Sequence, residues 1–101
     1  MLSDDARKRL TAYCPKVHAI LIDPFLADKD KDALIMSALI ARIIEKGEWE
    51  AFYFFGIQKY KVDHIYTVFP DADAKYIAWL ISSPAHFAEV VGEWLTTKGE
   101  K

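Results

Sequence analysis

Six apolar residues near the middle of the chain repeat at helical spacing and cover about half of a helix circumference. They are Ile35, Met36, Leu39, Ile40, Ile43 and Ile44. A stripe this wide exceeds what a helix on a protein surface needs. We therefore expect a helix over about residues 31–46 to run through the middle of the core. Asp28 or Asp30 is its predicted N-cap, and Gly47 is predicted to close it in the left-handed conformation.

Helix-boundary residues also occur towards both ends of the chain. Ser3 is a predicted N-cap, and Ser83 followed by Pro84 is typical of the start of a last helix. The inward face predicted for that helix is Phe87, Val90, Val91, Trp94 and Leu95. Residues 17–22 and 57–69 fit either a helix or a strand. We favour a helix for 57–69, because a lone strand would have nothing to pair with.

Together these patterns predict a single all-α domain over residues 1–101. We expect a compact bundle of five to seven short helices around the central apolar helix. The chain of 101 residues is 52% hydrophobic and holds four Gly and four Pro, which excludes disordered and collagen-like classes. Its net charge of −2 argues against bulk attraction to nucleic acid or to anionic lipid.

The cellular compartment is predicted from the cysteine and from the apolar segments. Cys14 is the single cysteine, so no disulfide can form within the chain. The acidic start of the sequence does not resemble a signal peptide. The longest apolar block, residues 33–41, is far shorter than the roughly 20 residues of a membrane span. We expect a cytoplasmic protein without membrane association.

Residues that could support catalysis or metal binding are sparse. Cys14 and His18 have the spacing of one ligand pair, but a second pair is missing, so we predict no metal and no cofactor. Asp63 and His64 are adjacent, so on a helix their side chains diverge by about 100° and form no catalytic dyad. The four glycines are too scattered for a phosphate-binding loop. We predict that the protein is not an enzyme.

An aromatic segment carries the first functional hypothesis. Gly47 and Gly56 bracket a predicted short helix, Glu48 to Phe55, that contains Trp49, Phe52, Tyr53, Phe54 and Phe55. One helix cannot point all five rings inward, so some of them should contact a partner protein, unless neighbouring helices enclose the whole segment. The predicted anchors are Trp49, Tyr53 and Phe54, and the predicted acidic rim, suited to a basic partner, is Glu48 and Glu50.

A helix-turn-helix motif is the alternative for the following segment. With Gly56 at the turn, Val62 and Ile65 would lie at inward positions of a recognition helix. The outward residues that would reach DNA are Gln58, Lys59, Lys61 and His64. Phe52 and Asp63 argue against it, because the first is large for close helix packing and the second would face the groove. A DNA reader of this size would be a dimer.

Three short segments between Asp23 and Phe69 carry a family resemblance. They are Asp23-Pro24-Phe25-Leu26, Leu39 to Gly47, and Trp49 with the aromatic run into Phe55-Gly56. In them the chain resembles a family of small bacterial helical domains of unknown function, encoded beside nucleotidyltransferase-type toxins in abortive-infection and toxin–antitoxin loci. Arg42 matches the family's arginine and Gly47 its helix-ending glycine, whereas the stretch at Phe25 lacks the family's tryptophan. The resemblance covers less than half of the chain and transfers no catalytic residue.

The resemblance implies a small cytoplasmic partner protein or antitoxin-like protein. Our first hypothesis is accordingly a non-enzymatic protein-interaction domain of a prokaryote or its phage. It would cap a surface of another protein as an antitoxin, an immunity protein or an inhibitor. The second hypothesis is the helix-turn-helix DNA binder. The third is a structural domain that forms a homo-oligomer.

Overall fold

Five α-helices make up most of the chain that the computed structural model describes. It describes residues 2–60 and 82–98, with residues 57–60 described by their backbone alone. The helices are α1 (Asp4–Tyr13), α2 (Lys16–Leu21), α3 (Asp28–Glu45), α4 (Trp49–Tyr60) and α5 (Pro84–Thr97). No strand occurs in these ranges, which confirms the all-α prediction. None of the described helices is long and apolar enough to cross a membrane.

The predicted serine N-caps at Ser3 and Ser83 are confirmed, whereas the predicted N-cap of α3 is not. The Ser3 hydroxyl accepts a hydrogen bond from the Ala6 N–H at 3.1 Å, and Ser83 accepts one from the His86 N–H at 3.4 Å. The predicted N-cap of α3 is wrong, since Ala27 takes that position without a side-chain hydrogen bond. The aspartates proposed for it, Asp28 and Asp30, lie in the first turn of α3, where they face the positive end of the helix dipole.

The core lies between α5 and the helices packed around it. Helix α5 contacts α1, α3 and α4, while α2 packs on α3. The five predicted inward residues of α5 are all buried: Phe87, Val90, Val91, Trp94 and Leu95. On α3, Ile35, Leu39 and Ile43 are buried, and Met36 and Ile40 pack against the core from its edge.

Ile44 was predicted to face inward and is instead 60% exposed. At about 100° per residue, Ile44 lies roughly 180° around α3 from Ile35. The apolar stripe is therefore wider than the face that neighbouring helices cover. Around the helix, Ile35, Leu39 and Ile43 are buried, Met36 and Ile40 are half-buried, and Ile44 is exposed.

Helix α4 does not end at Phe55, and the turn predicted at Gly56 is wrong. The helix continues through Gly56 to Tyr60, and Gly56 is buried. An interior glycine costs a helix about 0.5–1 kcal/mol relative to alanine, which is too little to end a helix that packs on a core. The remainder of the predicted 57–69 segment, from Lys61 onward, lies outside the described residues.

Candidate functional site

A cleft of about 480 Å³ opens where α1, α3 and α5 end and α4 begins. We refer to this site as the basic cleft. Its lining is Arg9, Ala12, Tyr13, Arg42, Lys46, Glu48, Leu95 and Lys98. Among these described residues, four cationic side chains surround one carboxylate, in a protein whose net charge is −2.

The chain direction after α3 places the carboxylate in this cleft. Gly47 has a φ of 68°, which only glycine adopts without steric cost. Its N–H donates to the Ile44 carbonyl at 2.9 Å, and the Glu48 N–H donates to the Ile43 carbonyl at 2.9 Å. This pair of bonds is the Schellman motif, which satisfies the last carbonyls of a helix. It sends Glu48 back towards α1 and α5 before α4 begins.

Glu48 connects α1 to the end of α5. The Tyr13 hydroxyl donates to Glu48 Oε1 at 2.6 Å, and the Lys98 ammonium forms an ion pair with Glu48 Oε2. Only 23% of the Glu48 side chain and 22% of the Lys98 side chain are exposed. These contacts span 35 and 50 positions of the sequence, so they hold the two ends of the described chain together.

Burial and this hydrogen bonding set the protonation of both groups. Desolvation raises the pKa of Tyr13 well above its usual range, and the hydrogen bond to Glu48 raises it further. Desolvation alone would raise the pKa of Glu48, but the hydrogen bonds from Lys98 and Tyr13 outweigh it and lower that pKa. At neutral pH the tyrosine is therefore a neutral donor and the glutamate an ionised acceptor.

The two arginines of the cleft are held by backbone carbonyls. Arg42 Nε donates to the carbonyl of Tyr13, the last residue of α1, at 2.9 Å. Its Nη1 contacts Glu45 on the same helix at 2.9 Å. Arg9 Nε donates to the Gly92 carbonyl at 3.0 Å. Both guanidinium groups thus have a fixed orientation, with most of their N–H donors still available.

The rings of Tyr13 and Trp94 lie close to three of these cations. Lys46 Nζ lies 5.4 Å from the Tyr13 ring centroid, and Arg42 Cζ lies 6.0 Å from it. Lys98 Nζ is 4.8 Å from the Trp94 ring centroid. The Tyr13 and Trp94 rings meet edge to face with centroids 5.8 Å apart. These cation–π contacts position the cations without neutralising them.

The five residues predicted as a partner-binding patch do not form one surface. Glu48 lies in the basic cleft rather than on an acidic rim. Trp49 is half-buried and packs on Phe52, with ring centroids 5.6 Å apart. Glu50 and Phe54 are exposed one helical turn apart, and the half-buried Tyr53 ring lies 5.8 Å from that of Phe54. We call Glu50, Tyr53 and Phe54 the outer face of α4.

The residues of the alternative DNA site are only partly within the described chain. Gln58 and Lys59 lie on α4, where the backbone alone is described, and Lys61 and His64 lie outside the described residues.

The residues weighed for a metal site do not come together in the described part of the chain. Cys14 is buried, and its thiol contacts the Ala38 carbonyl at 3.7 Å. Across residues 2–60 and 82–98, no group of three His, Cys, Asp or Glu side chains is placed to hold a metal ion.

No protein-family model, curated protein or solved structure matches this chain. The function is therefore inferred from the residues and the geometry of the two surfaces.

The basic cleft was not predicted as a site. The sequence did not predict Arg9, Tyr13, Lys46 or Lys98 as site residues, because each is ordinary in its local segment. Arg42 was noted, for its match to the family motif. The spacing of residues along one helix carries no information about contacts between Tyr13, Glu48 and Lys98. One feature of the local sequence could have helped to find the cleft. Gly47 ends α3 in the left-handed conformation and thereby sets the direction of Glu48.

Proposed function

We propose that this chain is a non-enzymatic protein-interaction domain that binds a partner protein through the outer face of α4. The observation that carries the proposal is the position of Phe54, whose side chain is 55% exposed while Phe52, two residues earlier, is 1% exposed. A large apolar ring at the surface of a short helix is a common binding anchor.

The neighbours of Phe54 favour a protein partner with some basic character. Tyr53 adds a second ring beside Phe54, and Glu50 supplies an exposed carboxylate on the same face. Aromatic residues are enriched at interface centres, with charged residues at the rim. This surface is smaller than the patch expected from sequence, because Glu48 and Trp49 have contacts elsewhere.

The cellular role that we propose is that of an antitoxin, immunity protein or inhibitor in the cytoplasm of a prokaryote or in its phage. The resemblance of the Leu39–Gly47 and Phe55-Gly56 segments to the toxin-associated family supports it. A single buried thiol without a disulfide partner suits a reducing compartment.

Affinity capture with a matched pair of variants tests this function. The tagged wild type, Phe54→Ala and Phe25→Ala are compared in lysate treated with nuclease. Phe25 is 93% exposed and lies between α2 and α3, so its variant removes an even more exposed ring from a different place. We expect a stoichiometric protein with the wild type and Phe25→Ala, and binding at least about tenfold weaker with Phe54→Ala.

Other outcomes would contradict the proposal. Equal capture by Phe54→Ala would remove the outer face of α4 as the binding surface. Material that is lost after nuclease treatment would favour the DNA-binding alternative. A stable homodimer of the purified chain with no other ligand would favour the structural role instead.

A further inference from the structure

The basic cleft contains more cationic side chains than carboxylates to pair with them among the described residues. Among the described residues that line it, Glu48 is the single carboxylate and is already paired with Lys98, while Arg42 is paired with Glu45 on its own helix. In the part of the chain that the structure describes, neither Arg9 nor Lys46 forms an ion pair. The excess is local, because the whole chain is slightly acidic. An anion entering the cleft would therefore meet uncompensated cations.

The negative partial charges of the helix ends balance only part of the positive charge of the cleft. The C-terminal ends of α1, α3 and α5 meet at the cleft, and cations near such ends are stabilising. The three C-terminal ends contribute about −1.5 elementary charges. Glu48 adds one negative charge and Glu45, which pairs with Arg42, adds another, while the N-terminal end of α4 contributes about +0.5. Four cationic side chains exceed that sum. The cleft remains electropositive after the helix dipoles are included.

The arginines are arranged for an oxyanion. The Nε–H of Arg42 donates to the Tyr13 carbonyl and that of Arg9 to the Gly92 carbonyl, which fixes both guanidinium planes. Within the described residues, the terminal nitrogens of Arg9 have no hydrogen-bond acceptor. A planar guanidinium donates two parallel hydrogen bonds to a phosphoryl group. Because the planes are already fixed, a bound anion costs little additional side-chain entropy.

We propose that the basic cleft binds a compact small-molecule anion of the phosphate class that carries two or more negative charges. The anion would be held by Arg9, Arg42 and Lys46, with Lys98 kept in place by Glu48. A volume of about 480 Å³ is within the range of small-molecule sites. This site is separate from the outer face of α4, so neither proposal depends on the other.

Titration with sodium pyrophosphate tests the site. Amide chemical shifts of the full chain are followed while sodium chloride keeps the ionic strength constant. The test variants are Arg9→Gln and Lys46→Gln. Their matched controls are Arg7→Gln, on α1, and Lys29→Gln, at the other end of α3, both of which remove an exposed cation outside the cleft.

We expect saturable shifts at residues of the cleft in the wild type and in both controls. Binding should be about tenfold weaker in Arg9→Gln and in Lys46→Gln, since each removes a charged donor. A parallel titration with citrate is expected to give weaker binding than pyrophosphate. The variant Phe54→Ala should bind pyrophosphate like the wild type, so failure of one proposal is distinguishable from failure of the other.

Three results would overturn the inference. The first is the absence of saturable shifts at constant ionic strength. The second is an equal loss of binding in the two control variants, which would indicate attraction to surface charge in general. The third is equal affinity for citrate, which would show that the cleft does not select phosphoryl groups.

Discussion

The basic cleft and the outer face of α4 lie next to each other in the sequence but hold their side chains in different ways. In the cleft, Tyr13 takes part in two hydrogen bonds, an edge-to-face ring contact and two cation contacts. On the outer face, Phe54 contacts the Tyr53 ring and is otherwise half in solvent. The first arrangement joins several helices, whereas the second leaves apolar area exposed to solvent.

The difference teaches that aromatic content alone does not identify a binding surface. Phe52 and Phe54 are the same residue type, two positions apart on one helix. Phe52 packs against Trp49, Phe87 and Trp94, with ring centroids 5.4 to 5.6 Å apart. Phe54 points about 200° away from it. The direction of each ring decides whether its removal affects stability or binding.

The largest effect is expected from the contrast between Phe52 and Phe54, on opposite sides of α4. Replacing Phe52 by alanine should lower the free energy of unfolding by about 3–5 kcal/mol, because it leaves a cavity among three rings. Replacing Phe54 should change it by less than about 1 kcal/mol. Urea unfolding of both variants measures this contrast. Similar losses in both would mean that the two faces of α4 are not distinct.

The hydroxyl of Tyr13 is a more selective test of the cleft. Tyr13→Phe keeps the ring but removes the donor to ionised Glu48, so we expect a loss of about 1.5–3 kcal/mol in unfolding free energy. Denaturant unfolding at neutral pH measures it. A loss below about 0.5 kcal/mol in Tyr13→Phe would show that water replaces the tyrosine hydroxyl without cost.

Gly47 joins α3 to the segment that carries Glu48 and α4. Replacing it should lower the stability of the fold by less than the two changes above. Gly47→Ala forces a side chain into the left-handed region, which costs about 1–2 kcal/mol. A Cβ atom there would have no neighbour within 4 Å, so the cost is conformational rather than steric. Thermal unfolding detects the loss, and Gly92→Ala on α5 provides a comparison in which φ is helical and the added Cβ would lie 3.6 Å from Ala6 Cβ. A stabilised Gly47→Ala would contradict the role of the Schellman motif in placing Glu48.

The pH dependence of stability gives the smallest and most specific signal. The pKa of Glu48 is lower in the folded protein than its usual value near 4.5, so the unfolded chain binds this proton more readily. Its contribution to stability is therefore present above about pH 4.5 and lost as the pH falls through the folded pKa. We expect the difference in unfolding free energy between the wild type and Glu48→Gln to shrink below about pH 4.5. If the difference between wild type and Glu48→Gln grew on acidification, the pKa of Glu48 would be raised, not lowered, in the folded protein.

Much of the fold was predictable because its elements depend on local patterns. The series Phe87, Val90, Val91, Trp94 and Leu95 specifies one face of α5, and all five are buried. The N-caps Ser3 and Ser83 and the helix-ending Gly47 were likewise predictable from neighbouring residues alone. Ile44 was misplaced because periodicity gives the width of a stripe but not the width of the surface that covers it. Gly56 was misplaced because a glycine is a weak helix breaker when its helix packs on a core.

The candidate sites were harder to predict, because they depend on contacts between distant residues. That some rings of the aromatic segment must point outward follows from helical angles, and Phe54 is exposed. No local pattern places Lys98 beside Glu48. The cleft arises from four helix ends that meet only in the folded chain.

The position of α5 has a consequence for the order of folding. The hydrogen bond from Arg9 to the Gly92 carbonyl joins residues 83 positions apart, and α5 contributes seven buried residues to the core. A ribosome releases α1 through α4 before it releases α5, so the nascent chain lacks this helix until the end of that stretch. Contacts of such high sequence separation slow folding, because loop closure must precede them. During synthesis the apolar faces of α1 and α3 therefore remain accessible to chaperones and proteases.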